Sequence, residues 1–457
     1  MAVDRSRLPS PGPDPPFHFP QVVRHMLGNG LKVRTVEHPG VPVVTFVMQI
    51  NGGLGADPAG REGLASLTAD MVDEGTGMLS AIDISDALAR IGAEHDVEVG
   101  ADATMFTLTT LTRFAGRGAR LLSDMLTAPS MRASDFERVR QLRLDRLRQL
   151  KDLPPAVAER AFLQLLYPSH PYGHLAIGSD ASLRALKLDA AVRFHKATFL
   201  PGRATLVVAG ALSHGDLLAA AEDAFGGWRG EERVLDAPSA AADVNPKPNS
   251  SPHLAIIPRD GAAQSELRIG HLSARRDTPD YAPLLTMNAI LGGQFVSRLN
   301  LKLREEKAFT YGVRTGFDWR RGLGPFSAQT SVHTAATAES IADTLQEMSA
   351  LRGTRPATAQ EMSFAQASLT RGYPRNFETA QQVARSVAQL ALFDLPDSYF
   401  EEFVPKVNAV TIDEVTRVAQ TYLDPSRAIA LVVGDRNATE ESLSTLGLGE
   451  LHVLPPS

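Results

Sequence analysis

The sequence predicts an α+β fold built twice, with two homologous domains that each contain a mixed β-sheet covered by helices. Strand-like and helix-like segments are mixed within each half, a linker-like stretch divides the chain near its middle, and the two halves end in similar sequences. With 457 residues, 43% hydrophobic and 21% charged, the chain can bury a large core and divide into at least two domains.

The similar endings are the clearest sign of duplication. VRFHKATFLPGRATLVVAG (192–210) and VTRVAQTYLDPSRAIALVVGD (415–435) both run from an amphipathic helix through proline and Arg-Ala to an apolar strand that ends at glycine. Three residue pairs align when one residue is inserted before the proline: Phe199 with Tyr422, Pro201 with Pro425, and Gly210 with Gly434. The spacing of about 220 residues is far longer than a solenoid repeat and favours duplication of a whole domain.

Composition predicts the domain boundaries. Residues 1–20 are rich in proline and are predicted to be a tail without regular structure. Residues 21–235 form the predicted N-terminal domain, and DAPSAAADVNPKPNSSP (236–252), with small residues and four prolines, is the predicted linker. Residues 253–457 form the predicted C-terminal domain.

Each half opens with strand signals. The first half has GLKVRTVEH and VPVVTFVMQI, and the second has HLAIIP and QSELRIGHL. These segments predict strands near the start of each domain.

Composition also limits the classes of partner. The net charge of −6 and the lack of a long like-charge run give no reason to expect nucleic acid. No window of about 18 apolar residues predicts a membrane span, and prolines occupy the start where a signal peptide would be apolar. We therefore expect a cytoplasmic protein on the sequence as given, or a periplasmic one if the start is trimmed. The absence of cysteine excludes disulfides and thiolate metal sites without indicating a compartment.

GLASLTADMVDEGT (63–76) has the pattern of a helix packed on a sheet, because Leu64, Leu67 and Met71 fall on one face. Ser66, Ala69 and Asp70 lie on one flank at i, i+3 and i+4. An H-x-x-E-H helix uses this spacing to present two histidines to zinc and a glutamate to the attacking water. Since serine is not a usual zinc ligand and alanine has no basic atom, neither the metal nor the general base can be assembled there.

The order of several motifs over both halves resembles the pitrilysin-like (insulinase) family of zinc metallopeptidases, from about residue 20 onward. These motifs are the degenerate helix above, YPSHPYGHLAIG, FHKATFLPGRATLVVAG, ILGGQFVSRLNLKLREEKAFTYGV and the duplicated ending. The resemblance places Ser66 and Asp70 at the two ligand histidines and Ala69 at the catalytic glutamate. The third ligand, a glutamate, should fall near DFERVRQLRLDRLRQL, where Leu144 and Asp145 are the nearest candidates. It therefore implies the family fold with no metal or other cofactor in this chain.

LGGQFVSRLNLKLREEKAFTYGVRTGF (291–317) is the most informative stretch of the second half. The spacing predicts a buried helix face followed by an alternating strand: Phe295, Leu299 and Leu303, then Tyr311, Val313, Thr315 and Phe317. Arg304 lies one residue past the buried face. In the family that this stretch resembles, the arginine and tyrosine at this spacing face the zinc site of an N-terminal half. The tyrosine donates to the oxyanion and the arginine holds substrate carbonyls.

Simpler readings exist for each residue. Arg304 is compatible with a surface helix arginine, Tyr311 with a half-buried strand tyrosine, and Ser66 and Asp70 with small packing or surface residues. His170 and His174 are spaced as two metal ligands could be, but Pro171 and Gly173 prevent a continuous helix and no third ligand is apparent nearby. In GGLGADPAGREG, Pro58 stands where a dinucleotide loop needs its third glycine, and no G-x-S-x-G elbow or P-loop occurs.

Two functional hypotheses follow from the resemblance. The first is a zinc-free subunit of a heterodimeric peptidase, which supplies Arg304 and Tyr311 in trans to a zinc-binding H-x-x-E-H partner and acts on extended peptides. The second is a catalytically silent structural or peptide-holding subunit, like the family's core proteins in a respiratory complex, with Arg304 and Tyr311 inherited but unused.

Overall fold

The computed structural model describes residues 17–230 and 252–455, and these contain two six-stranded sheets with helices packed on them. The strands are β1 Val22–Met26, β2 Lys32–Glu37, β3 Val43–Ile50, β4 Gly75–Thr76, β5 Leu79–Ser80, β6 Glu94–Val99, β7 Thr104–Leu111, β8 Ala204–Gly210, β9 Leu254–Pro258, β10 Gln264–Leu272, β11 Arg314–Phe317, β12 Pro325–His333, β13 Ile429–Gly434 and β14 Leu451–Val453. The helices are α1 Leu64–Asp70, α2 Ala81–Arg90, α3 Ala115–Thr127, α4 Ala133–Lys151, α5 Pro154–Leu166, α6 Asp180–Ala185, α7 Leu188–Thr198, α8 His214–Phe225, α9 Tyr281–Asn288, α10 Thr337–Ser349, α11 Ala359–Thr370, α12 Ala380–Leu392, α13 Tyr399–Ala409, α14 Ile412–Tyr422 and α15 Arg436–Ser444.

The two sheets repeat one topology. In the first sheet the order is β1-β2-β8-β3-β7-β6, and in the second it is β11-β12-β10-β13-β9-β14. Five strands correspond in order and direction: β2 is parallel to β8 as β9 is to β13, and every other pairing among the five is antiparallel. The sixth strands differ, since β1 is antiparallel to β2 whereas β14 is parallel to β9. The predicted α+β fold with internal duplication is therefore confirmed.

The aligned endings occupy equivalent positions in this repeat. Helices α7 and α14 each lead into a short 3₁₀ turn, at Pro201–Arg203 and Pro425–Arg427, and then into the central strands β8 and β13. Those strands end at Gly210 and Gly434. The four segments predicted to be strands near the start of each half contain β2, β3, β9 and β10, all largely buried.

Each sheet is covered on one face by a helix from the opposite half. Helix α5 of the first half packs on β10 and β13 of the second sheet, and α12 of the second half packs on β3 and β8 of the first. Apolar side chains of α5 share one cluster with the second sheet: Val157, Ala158, Ala161 and Phe162 with Ala255, Ile257, Leu431 and Val433. Those of α12 share another with the first sheet: Val383, Ala384, Val387 and Ala388 with Val36, Val47, Val207 and Ala209. The exchange joins the cores of the two halves.

Polar contacts accompany both exchanged helices. Arg268 of β10, nearly inaccessible to water, donates to Glu159 of α5 at 3.2 Å. Arg385 of α12 donates to Asp96 and, at 3.3 Å, to Glu98, both on the edge strand β6. Each sheet is thus tied to the other half by charge-assisted hydrogen bonds as well as by apolar packing.

The predicted tail and linker lie mainly outside the described residues. Of residues 1–20 only 17–20 are described, and they form no regular element. Phe17 and Phe19 nevertheless pack on the ring of Phe377, in the second half. Of the predicted linker, residues 236–252, only Pro252 is described, so the domain boundaries remain predictions. In the described ranges, no helix combines the length and apolar character needed to cross a membrane.

Because the cores are joined, the two halves should unfold together. The chain has two tryptophans, Trp228 in the first half and Trp319 in the second, which allows each half to be followed separately in Trp→Phe backgrounds. Val387→Ala removes buried volume from α12 and should lower the free energy of unfolding by about 2 kcal/mol. Urea denaturation should show the same midpoint shift with both reporters. The exposed Val41→Ala is the control and should shift neither; a shift confined to one reporter would contradict the coupling.

Candidate functional site

The start of α1 is held by a buried carboxylate and a glycine contact. Asp57 accepts hydrogen bonds from the backbone N–H groups of Gly63 and Ala65, both at 2.6 Å, which satisfies donors that the helix itself leaves free. Gly63 has φ +92°, and a Cβ atom there would lie 2.9 Å from the Cα of Gly178. The motif YPSHPYGHLAIG therefore ends in a glycine that lets its loop approach the beginning of α1.

The faces of α1 agree with the sequence prediction. Leu64, Leu67 and Met71 are buried in a cluster with α4 and α7, which confirms the core stripe. Ser66 and Ala69 are also buried, and Asp70 ends the helix with its side chain partly exposed.

An arginine joins Ser66 and Asp70. Arg143, on α4, donates from Nε to Asp70 at 2.7 Å and from Nη2 to the Ser66 hydroxyl. Its side chain is largely buried. Burial raises the pKa of Asp70, and the positive charge of Arg143 opposes that rise. The interpretation of Ser66 and Asp70 as packing or surface residues was therefore incomplete, because both take part in a polar cross-link between α1 and α4.

Leu144 and Asp145, the residues expected near the third ligand position, have other partners in the structure. Leu144 is buried in the apolar cluster, and Asp145 accepts hydrogen bonds from Gln141 and Arg148 on its own helix. Neither reaches Ser66 or Asp70; Arg143, one residue earlier, does. The helical period would have indicated this, since Arg143 falls seven residues after Phe136 and four before Leu147, on the buried stripe.

A cavity of about 620 Å³ opens beside this cross-link. The residues that line it all belong to the first half of the chain and include His95, Asp96 and Val97 of β6. Burial, reinforced by the neighbouring Glu74 carboxylate, raises the pKa of Asp73 in this cavity to about 6. Burial lowers the pKa of His95, whose Nε2 has no hydrogen-bond partner in residues 17–230 or 252–455.

This donor set does not fit a catalytic zinc ion. Such a site needs three protein ligands and an open position for water, whereas the flank of α1 offers one carboxylate that is already bound to a guanidinium. Among the described residues, no three histidine or acidic side chains are grouped so as to hold a metal. His170 and His174 each use one ring nitrogen for a backbone contact. Nδ1 of His170 accepts from the backbone N–H of Tyr172, and Nδ1 of His174 lies 3.0 Å from the Leu175 carbonyl oxygen.

The predicted Arg304 and Tyr311 segment is organised by a buried asparagine. Asn300 donates to the carbonyl oxygens of Gln294 and Val313 and accepts from the backbone N–H of Val313 at 2.9 Å. It joins the chain before the helical turn Asn300–Glu306 to the chain after it. Because Asn300 is 4% exposed and hydrogen-bonded on both sides, it limits movement of the whole segment.

Arg304 and Tyr311 project from this segment in different environments. The Arg304 guanidinium lies 3.4 Å from the centre of the Phe295 ring and bonds to Glu305 through Nε at 2.9 Å. The Tyr311 side chain is 94% exposed and forms no hydrogen bond with any described residue. In the described part of the chain, no hydrogen bond or ion pair joins Arg304 to Tyr311, or either of them to Ser66 or Asp70.

Two local expectations for this segment were wrong. Phe295 is 71% exposed instead of lying on a buried helix face, because the helical turn begins later and the ring instead packs on Arg304. Tyr311 does not start the strand: β11 begins at Arg314, because the bonds of Asn300 to Val313 occupy the preceding backbone. Leu299 and Leu303 are fully buried as predicted.

Fold and site define a two-domain protein of the metallopeptidase type whose first half lacks the residues for metal chemistry. Residues 32–178 match the family model described as insulinase (peptidase family M16), and residues 185–369 match the model described as peptidase M16 inactive domain. The chain therefore belongs to the M16 family.

Similar curated proteins extend over almost the whole chain. An uncharacterized zinc protease of Mycobacterium bovis is 26% identical over 426 residues, covering 92% of this chain and 94% of the relative. A protein of Helicobacter pylori named as a non-peptidase homolog is 21% identical, covering 90% and 94%. A probable mitochondrial-processing peptidase subunit beta of Schizosaccharomyces pombe is 24% identical over 60% of this chain and 59% of its own.

Two solved structures share the fold. A peptidase M16 inactive domain from Pseudomonas fluorescens superposes with a TM-score of 0.82 at 22% identity, covering 91% of this chain and 98% of that one. A protease from Helicobacter pylori superposes with a TM-score of 0.82 at 17% identity, covering 91% and 100%.

Removing the cross-link should destabilise the chain. Arg143→Met leaves the Asp70 carboxylate without its partner and should lower the free energy of unfolding by about 1–3 kcal/mol, less than for a fully buried pair because Asp70 is partly exposed. Arg143→Lys keeps the positive charge but loses the paired donors of the planar guanidinium, so its free energy of unfolding should lie between those of wild type and Arg143→Met. Arg148→Met, at an exposed ion pair on the same helix, is the control and should change stability little. Urea denaturation measures all three, and equal stabilities for Arg143→Met and wild type would refute the cross-link.

The carboxylate at the start of α1 should make stability depend on pH. Burial raises the pKa of Asp57 to about 7, although the hydrogen bonds from Ala65 and Gly63 lower it. The negative charge of Glu62 raises this pKa further, and the positive charge of Arg143 lowers it. Nε2 of His174 lies 3.7 Å from Oδ2 of Asp57. The folded chain therefore binds the proton of the Asp57 carboxyl group more tightly than the unfolded chain does. The protonated carboxyl group contributes fully to the free energy of unfolding below about pH 4, and this contribution is lost as the pH rises through about 7.

The measurement is the free energy of unfolding of wild type and Asp57→Asn between pH 4 and pH 8. The stability of wild type relative to the variant should fall by up to about 4 kcal/mol over this range. Asp189→Asn, at an exposed aspartate, should leave the pH dependence as it is in wild type. A constant difference between wild type and Asp57→Asn would show that Asp57 does not titrate in this way.

Proposed function

We propose that this chain is the zinc-free subunit of a heterodimeric M16 metallopeptidase and supplies Arg304 and Tyr311 in trans to a partner with an H-x-x-E-H helix. The observation that carries the proposal is the state of Tyr311. A large aromatic side chain almost fully exposed beside a segment held by Asn300 contributes nothing to this chain's own core. Such a group is suited to donate its hydroxyl to an oxyanion on another chain.

Arg304 has capacity for substrate in addition to its present contacts. A guanidinium carries five N–H donors, and Glu305 accepts only from one side of it. Stacking on Phe295 holds the guanidinium plane, which favours bonds to two substrate carbonyl oxygens over a single flexible contact. The exposed Glu305 carboxylate leaves room for substrate oxygens to compete for the same donors.

An extended peptide is the substrate class that the first half favours. Strand β6 lies at the edge of its sheet, and no described strand pairs with its outer side. Its residues His95, Asp96 and Val97 line the cavity next to Arg143. A peptide added to this edge would gain backbone hydrogen bonds while its side chains enter the cavity. In this proposal the first half of this chain holds peptide and performs no chemistry.

A silent structural or peptide-holding subunit is the second candidate. Arg304 already bonds to Glu305 and stacks on Phe295 within the chain, contacts that an inherited residue without a substrate could also keep. The two candidates agree that the isolated chain is inactive and differ on whether Tyr311 contributes to turnover.

The test is peptide cleavage by the separate chains and by the complex co-purified from the native host. Each chain alone should cleave weakly or not at all, and mixing should restore turnover. Within the complex, Tyr311→Phe removes one hydroxyl and should lower kcat by about 10²-fold to 10³-fold with assembly unchanged on gel filtration. Arg304→Lys should raise KM alongside any fall in kcat.

Matched controls come from the same half. Tyr422→Phe removes the hydroxyl of a tyrosine that bonds to Asp280, and Arg275→Lys changes an exposed arginine paired with Asp277. Neither should affect turnover. Wild-type kinetics for Tyr311→Phe in an intact complex, or full activity of the partner alone, would reject the proposal in favour of the silent subunit.

A further inference from the structure

A second cavity, of about 550 Å³, lies between α5 and the loop that contains HPYGH. Polar side chains on its wall include Arg160 and Gln164 of α5 and Ser169 and His170 of the loop. None of these residues takes part in the α1–α4 cross-link or in the Arg304 segment, so the cavity is independent of the proposed peptidase function.

Arg160 is the unexplained group in this cavity. It is half-buried, yet its guanidinium has no hydrogen bond or ion pair with any residue of 17–230 or 252–455. Burial lowers the pKa of Arg160. Arg268, packed against the same helix, is instead paired with Glu159 and Glu266. The guanidinium donors of Arg160 therefore remain available to an anion that enters the cavity.

Further hydrogen-bond donors lie around Arg160. Gln164 follows it by one helical turn and so presents its amide on the same face of α5. Because Nδ1 of His170 accepts the backbone N–H of Tyr172, the neutral ring carries its proton on Nε2 and can donate from there. Burial lowers the pKa of His170, which favours this neutral form.

The acidic residues of the cavity are already engaged. Asp57 accepts from the backbone of Gly63 and Ala65, and Glu62 accepts from the backbone of Gly60 at 2.8 Å. The remaining wall is partly apolar: Tyr167, Pro168, Pro171 and Leu175 line it. The cavity thus combines a free cation and neutral donors with an apolar surface, the composition of a pocket for an amphipathic anion.

We propose that this cavity binds a ligand with a carboxylate and an apolar body, with the carboxylate on the guanidinium of Arg160 and the amide of Gln164, and the apolar body against Pro168 and Pro171. Two sources share this chemistry: the free C-terminus of a peptide and a small carboxylic acid. A planar guanidinium binds a carboxylate through two parallel hydrogen bonds, which a neutral amide cannot replace.

Isothermal titration of the full chain with N-acetyl-leucine and with N-acetyl-leucinamide tests the proposal. The acid should bind at least about ten-fold more tightly than the amide, since the charge-assisted bonds are lost in the amide. Arg160→Gln should reduce affinity for the acid by about ten-fold or more. The control, Arg184→Gln, changes an exposed arginine of α6 that is paired with Asp180 and should bind as wild type does.

The source of the carboxylate is distinguished with Ac-Ala-Ala-Leu as free acid. Tighter binding than N-acetyl-leucine assigns the cavity to peptide C-termini, and equal binding assigns it to small acids.

Arg160→Gln should keep or raise the melting temperature, because it removes an unpaired cation. Equal affinity for acid and amide, unchanged binding by Arg160→Gln, or a marked loss of melting temperature in that variant would each overturn the proposal.

Discussion

The exchange of α5 and α12 between the halves is the constraint on which the rest of the structure depends. Each sheet presents an apolar face that its own half does not cover, and the opposite half supplies the missing helix. The apolar contacts are distributed over both sheets, so neither core is complete without the other half. The same exchange places Arg385 of α12 on Asp96 and Glu98, which fixes the edge strand β6 along the candidate peptide-binding cavity.

Within the first half, the guanidinium of Arg143 links α1 to α4. Arg143 provides directional bonds to Asp70 and Ser66, so α1 stays attached to α4 through hydrogen bonds. A cavity of about 620 Å³ lies beside this cross-link. The cavity supports the proposed role of the first half in holding peptide.

The second half places its exposed groups on an ordered base. Asn300 is buried and bonded on both sides of the helical turn, whereas Tyr311 stands almost entirely in solvent. Alanine at position 308, with φ +53°, ends that turn in a conformation that usually requires glycine. A chain that orders its backbone so closely around exposed side chains is preorganised for binding, since little conformational entropy remains to be lost on association.

Much of this protein was predictable from its sequence. The strand segments, the core stripe of α1 and the duplicated endings were recognisable because each depends on residues close in the chain. Tertiary structure alone decided the helix exchange, the identity of the residues that Arg143 bonds to on α1, and the exposure of Phe295 and Tyr311. The physical reason is that local periodicity specifies which face of an element is apolar, whereas the identity of the surface that covers that face depends on contacts between residues hundreds of positions apart.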